Sequence, residues 1–239
     1  MPQIITVLIS CMFIFIQCSN VQEQAIDLKE NEAAKKVDVL FDGKLFTSYI
    51  YPDNIKKPVL WPVMSPAGNI LTRSFPMINK AGDRTDHPHH VGIWLNYGDV
   101  NGLDFWNNSE AIPAERRDGF GTIYHQSVEK AESGAGKASF LTTAVWKSPD
   151  NATMLEEQTG FEFIANGNMR IIDRTTTLQA VIDEVKFTDN KEGMFAIRVA
   201  RELELPTEKP TNLIDSHGNV TRVELMDNTL VKGDYGSAN

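Results

Sequence analysis

The chain has 239 residues, 41% of them hydrophobic and 23% charged, with a formal net charge of −9 and a pI near 5.1. This is enough for one sizeable domain or two small ones, with an ordinary globular composition. The acidic balance and the lack of a basic stripe argue against a nucleic-acid binder or an anionic-membrane binder, because phosphate binding needs clustered Lys and Arg.

Ile4 to Ile16 is a mostly apolar run of thirteen residues. A membrane span needs roughly 20 residues, whereas the apolar core of a signal peptide needs about 7–15. Both cysteines, Cys11 and Cys18, lie in this leader, so the remaining chain has no thiol and no disulfide. Cys18 stands where the apolar run gives way to polar residues, an arrangement that resembles a bacterial lipoprotein signal with a lipidated cysteine. Residues 1–18 are therefore expected to direct export, to the periplasm or the outer membrane, with a lipid on Cys18 as the only membrane link. Residues 19–36, rich in Glu, Gln, Asn and Lys, read as a polar tether. The folded domain is expected over residues 37–239.

Within that domain, Asp42-Gly43 between two apolar runs predicts a hairpin. Pro52, Pro58, Pro62 and Pro66 exclude a long helix from the next segment. Four strands follow, over 121–132, 138–146, 155–164 and 169–181, separated by turns at 133–136, 148–151 and 166–167. Such a run predicts an antiparallel meander. Shorter strands are expected at 185–188, 194–199 and 220–225. The pattern is all-β, two packed antiparallel sheets in a β-sandwich. Residues 233–239 read as a loop in mid-course, so the sandwich is expected to be incomplete at its C-terminal end.

Chemistry concentrates between Asp83 and Trp106, which hold three of the five histidines and two of the four tryptophans. His87 and His89 are two apart, so on an extended segment both side chains would point the same way. Joined by Asp83, Asp86 or His125 they could hold zinc, iron or manganese. That pair is similar to the cupin metal motif, but the glutamate which that motif needs is replaced by Val91-Gly92-Ile93-Trp94. The reading therefore assigns no metal and no cofactor. Histidine also passes protons near neutral pH. His87, His89 and His90 are the candidate acids and bases, with Asp86 orienting one of them. Trp94 and Trp106 would stack on sugar rings, and His125 would face the cluster from the following strand. Arg198, within an apolar strand, and Glu192, just before it, would hold hydroxyls or a carboxylate. No serine nucleophile elbow, phosphate loop or dinucleotide fingerprint is present.

Asp86-His87-Pro88-His89-His90-Val91-Gly92-Ile93-Trp94, with Gly98-Asp99-Val100-Asn101-Gly102-Leu103-Asp104-Phe105-Trp106, resembles the hallmark of a bacterial family of unknown function that is labelled PmoA or methane oxygenase. Lys191 to Ala200 and Gly233 to Asn239 resemble its later motifs, and Val91 departs from the basic residue expected there. The resemblance implies a large sandwich similar to the galactose mutarotase supersandwich. Its oxygenase label is not adopted, because after the leader no apolar run is long enough for a membrane helix. The function expected is histidine-assisted acid–base chemistry on a carbohydrate or a sugar derivative. Two rivals stand beside it, a non-catalytic glycan-binding module and a metal-dependent enzyme using the His-x-His pair.

Overall fold

The structure, a computed structural model, describes residues 23–204, 211–214 and 217–223. The leader, Cys18 and the segment 233–239 lie outside these residues. In chain order the strands are β1 (Ala25–Asn31), β2 (Lys36–Phe41), β3 (Lys44–Ile50), β4 (Val59–Val63), β5 (Ile93–Tyr97), β6 (Thr122–Glu132) and β7 (Gly134–Ala135). They continue with β8 (Lys137–Lys147), β9 (Thr153–Asn166), β10 (Met169–Ala180), β11 (Gly193–Ile197), β12 (Thr211–Ile214) and β13 (Val220–Val223).

Two antiparallel sheets form the sandwich. One has seven strands in the order β11-β5-β4-β3-β2-β1-β7, and the other has four in the order β10-β9-β8-β6. The four-stranded sheet is the predicted meander. Its alternation is clearest in β8, where every second residue from Ala138 to Trp146 is buried, because successive side chains of a strand face opposite sides. The Asp42-Gly43 hairpin also forms, with both residues at positive φ, +48° and +74°, as the tightest two-residue turn requires.

Three expectations change. Within the segment read as a tether, Ala25–Asn31 is strand and Glu32–Ala34 a single 3-10 turn: β1 pairs with β2, and Ile26 is fully buried. Its charged residues face outward while Ile26 reaches the core, so composition alone hid it. The turn at 133–136 does more than reverse the chain. Gly134 and Ala135 pair with β1 and stitch the two sheets together along one side. The expected strand at 185–188 is reduced to a single bridge, Phe187 with Val100.

The core between the sheets sets Val37, Val39, Phe41, Phe46 and Tyr49 against Phe140, Phe161 and Phe163. A second cluster, around Ile50, Val59, Val91, Trp94 and Trp106, covers the other face of the seven-stranded sheet. It is roofed by the long connection 64–92 between β4 and β5. There the histidines lie.

Candidate functional site

Residues 86–90 make a turn, not an extended segment. His87 has φ +46°, and the His90 N–H donates to the His87 carbonyl at 2.9 Å. A non-glycine residue at positive φ is strained, and it persists only where its surroundings hold it. His87 and His89 are therefore not set in parallel as on a strand; their rings meet edge-on. His87 instead stacks on His90 at 4.9 Å and 10°, and His90 lies on Trp94 at 5.1 Å and 23°. His89 stands edge-on to both imidazoles, with ring centroids 5.6 Å and 4.3 Å away.

The turn is held from beneath by Arg73, whose side chain is 1% exposed. Its guanidinium donates to the carbonyls of Phe75, Arg84, Asp86, His87 and His90, at 2.8–3.3 Å. It also meets Asp86 Oδ1 at 3.0 Å. One rigid fork thus supplies a buried donor to five carbonyls of this loop. Lys57 supports the same turn, donating to the His89 carbonyl at 2.7 Å beneath the Trp94 ring.

Asp86 Oδ2 lies 2.7 Å from His87 Nδ1. Burial alone would raise the Asp86 pKa, but the His87 hydrogen bond and the nearby charges of Arg198, His87 and Arg73 hold it below the usual carboxylate range. The carboxylate is therefore ionised and can only accept. In the neutral form of the ring Nδ1 then carries the hydrogen and Nε2 the lone pair. The His87 side chain is 53% exposed, so that nitrogen is open to a substrate. The two other imidazoles differ. Burial, with the positive charge of their neighbours, pushes the pKa of both His89 and His90 down to about 3. Both stay neutral near pH 7, and each keeps a buried Nε2 with no partner. Burial likewise lowers the Lys57 amine to about 7.

Arg198 closes the constellation from a distant part of the chain. Residues 198–200 leave β11 and pair with 71–73: Arg73 N–H donates to the Arg198 carbonyl at 3.0 Å, and Ala200 N–H to the Leu71 carbonyl at 2.8 Å. This places Arg198 Nη2 3.2 Å from Asp86 Oδ1 and 2.9 Å from Glu204. Arg84 and Arg201 also reach Glu204.

Residues 36–232 match the profile of a family of unknown function, DUF6807. The chain belongs to this family. No curated protein and no solved structure matches it, and nothing in the family match ties the chain to the PmoA label. In this DUF6807 chain, therefore, chemistry has to be read from the side chains themselves.

The sequence-predicted residues separate into two groups. Asp86, His87, His89, His90 and Arg198 come together. Trp94 and Trp106 reach the site only as its floor, 1% and 6% exposed, so neither presents a face on which a sugar ring could stack. His125 does not face the cluster. It stacks on Tyr51 at 3.8 Å, meets the Tyr49 hydroxyl at 3.1 Å, and lines a separate cleft of about 680 Å³. Glu192 stands at the opposite end of β11 from Arg198, where its carbonyl accepts from Gly98 and its carboxylate meets Lys191. Strand β11 runs between them, which is why two residues six apart in sequence do not share a site. Among the described residues no three His, Cys, Asp or Glu side chains are placed to hold a metal ion.

The second half of the hallmark is scaffold. Asp99 accepts from Gly102 N–H at 2.9 Å, Asp104 takes two hydrogen bonds from Asn107, and buried Asn96 donates to the Phe105 carbonyl. Sequence reasoning missed Lys57, Arg73 and Glu204. Lys57 follows another lysine and Glu204 lies in a charged segment, so neither gave a signal. Arg73, between Leu71-Thr72 and Ser74-Phe75 in an otherwise uncharged stretch, was the one that could have been found.

Proposed function

We propose that this protein acts on a carbohydrate or a sugar derivative by histidine-assisted acid–base chemistry, with His87 as the group that moves the proton. The observation that carries this reading is the Asp86–His87 pair at 2.7 Å. It supplies an open imidazole nitrogen whose tautomer is set by a carboxylate that two arginines hold in place. General acid–base catalysis needs this combination of fixed geometry and an accessible nitrogen. His89 and His90, kept neutral, serve as the packed support of that imidazole instead of as further acids. The sugar class comes from fold analogy, and the PmoA likeness remains a motif resemblance whose oxygenase label enters no part of the reading. Export, with lipid attached at Cys18, belongs to the same proposal.

The test is solvent-deuterium incorporation, followed by NMR, into a panel of neutral sugars and sugar acids. Wild-type protein is expected to exchange a carbon-bound hydrogen of at least one member. His87→Gln should slow that exchange roughly 100- to 10,000-fold. Failure of the wild type on the whole panel, or an unchanged rate in the variant, overturns the assignment.

A further inference from the structure

We propose that the outer face of the four-stranded sheet is a second site, apart from His87, which binds a linear uncharged oligosaccharide laid across the strands.

The first support is register. Ser127 stands opposite Thr143, Thr143 opposite Gln158, and Gln158 opposite Thr177. The neighbouring row runs from Tyr124 through Val145 and Glu156 to Gln179. The parts of these rows on β8, β9 and β10 floor a hollow of about 410 Å³. It lies on the solvent side, since the alternate residues of β8 and β9 are buried in the core. Each row offers side chains at the spacing of strands, roughly 4.8 Å, which is close to the advance per ring of a linear pyranose chain.

The second support is chemistry. A polar outer face is ordinary for a sheet with one wet side, but here the groups are open and almost uncharged. The side chains of Gln158, Thr177 and Gln179 hold no hydrogen-bond partner among the described residues. Amides and hydroxyls both donate and accept, as sugar hydroxyls do. Glu156 is the one charge on the two rows, an acceptor for hydroxyls and a repulsion for an anionic chain. Tyr124 ends its row 49% exposed, with Lys147 Nζ 5.9 Å from the ring centroid. It supplies an aromatic surface against which the C–H face of a sugar ring can lie.

The third support is continuity. Gln126 borders both this hollow and the cleft of about 680 Å³ that holds His125. The lysines of that cleft are all engaged, Lys35 with Asp53, Lys56 with Glu110 and Lys57 with the His89 carbonyl. None is left to draw an anion. His125 Nε2 has no partner and is not buried, so it opens into the cleft. A chain passing over β6 therefore enters a second space of the size that small ligands occupy.

Calorimetry of the full chain with cellohexaose, mannohexaose and xylohexaose, beside glucose and a galacturonate hexamer, tests this. At least one neutral hexamer should bind roughly 10- to 100-fold tighter than glucose and than the galacturonate hexamer. Gln158→Ala combined with Gln179→Ala should weaken that binding roughly 10-fold, and Tyr124→Ala by a similar factor. These side chains are exposed, so the urea midpoint of each variant should stay at the wild-type value. Amide NMR shifts on binding should gather at Thr143, Gln158, Thr177 and Gln179. No binding of any neutral hexamer, binding no tighter than glucose, or equal binding of the galacturonate hexamer overturns the proposal. So do shifts confined to residues 86–90. The His87 reading stands or falls separately, because exchange is scored on small sugars and binding here on hexamers.

Discussion

Arg73, buried behind the histidine turn, lies 3.0 Å from Asp86 and leaves neither group free to reorient. The same guanidinium holds five backbone carbonyls, so it is at once the electrostatic partner of the Asp86–His87 pair and the fastening of the loop that carries it. Arg73→Met should therefore cost about 3–5 kcal/mol, because several carbonyls lose their buried donor at once and Asp86 loses one of its two arginines. Arg73→Lys should recover only part of that loss, since one ammonium cannot span acceptors on a fork. Urea unfolding of the two variants measures both.

Asp86→Asn separates orientation from stability. An amide can donate to His87 Nδ1, which would move the imidazole hydrogen to Nε2 and remove the free lone pair. Nitrogen-correlated NMR of the His87 ring should report the hydrogen on Nδ1 in the wild type and its displacement in the variant. Deuterium exchange into substrate should fall roughly 100- to 10,000-fold in parallel. A wild-type ring carrying its hydrogen on Nε2 would sink the dyad.

Acid should weaken the fold before the carboxylates titrate. Burial holds the pKa of His89 and His90 near 3 and that of His125 near 4, all below the ordinary 6.5. Below pH 6.5 the unfolded chain takes up protons on these rings and the native chain does not, so unfolding binds protons and stability falls with pH. The contribution is complete above pH 6.5 and is lost as pH drops toward 3–4, by an amount that solvent screening at these partly exposed rings reduces. Unfolding free energies between pH 7 and pH 5 should show a positive slope that flattens in a His89→Asn, His90→Phe double variant.

Lys57 has the opposite working range. Its folded pKa near 7 lies below the usual 10.5 because burial disfavours the charged amine. The unfolded chain therefore holds the proton over pH 7–10.5 while the native chain releases it, and stability should rise with pH across that interval. Lys57→Met removes the titrating group, so its stability relative to wild type should be more favourable at pH 6 than at pH 10. An identical difference at both values would mean that the amine stays charged in the fold.

Gly92, at the entrance to β5, has φ +58°, and a Cβ there would lie 2.0 Å from the Leu60 carbonyl oxygen. Gly92→Ala should cost at least about 2 kcal/mol from strain and overlap combined. Gly102, with φ +81° and open space around it, should lose only about 1 kcal/mol on the same change. Thermal and urea unfolding of the pair check this ranking.

The meander β6-β8-β9-β10 and the β2–β3 hairpin were legible in the sequence because their causes are local. Alternation of apolar residues has a period of two, and Asp-Gly or Asn-Gly marks a reversal wherever it stands. The location of the site was legible for a similar reason, since Asp86, His87, His89 and His90 are adjacent in the chain. Their roles were not. Whether His87 and His89 project together depended on the φ of one residue, and whether Trp94 and Trp106 face a ligand or a core depended on which segments cover them.

The sequence by itself determined an all-β chain with its titratable groups gathered at residues 86–90. The tertiary structure decided which imidazole is open, that Arg73 and Lys57 support the turn from beneath, and that Arg198 joins Asp86 while His125 and Glu192 do not. Those outcomes rest on contacts between groups far apart in the chain, such as Arg198 with Asp86 across 112 positions. No local pattern encodes such contacts, because they are set by which strand edges pair and by where each buried charge can find a partner.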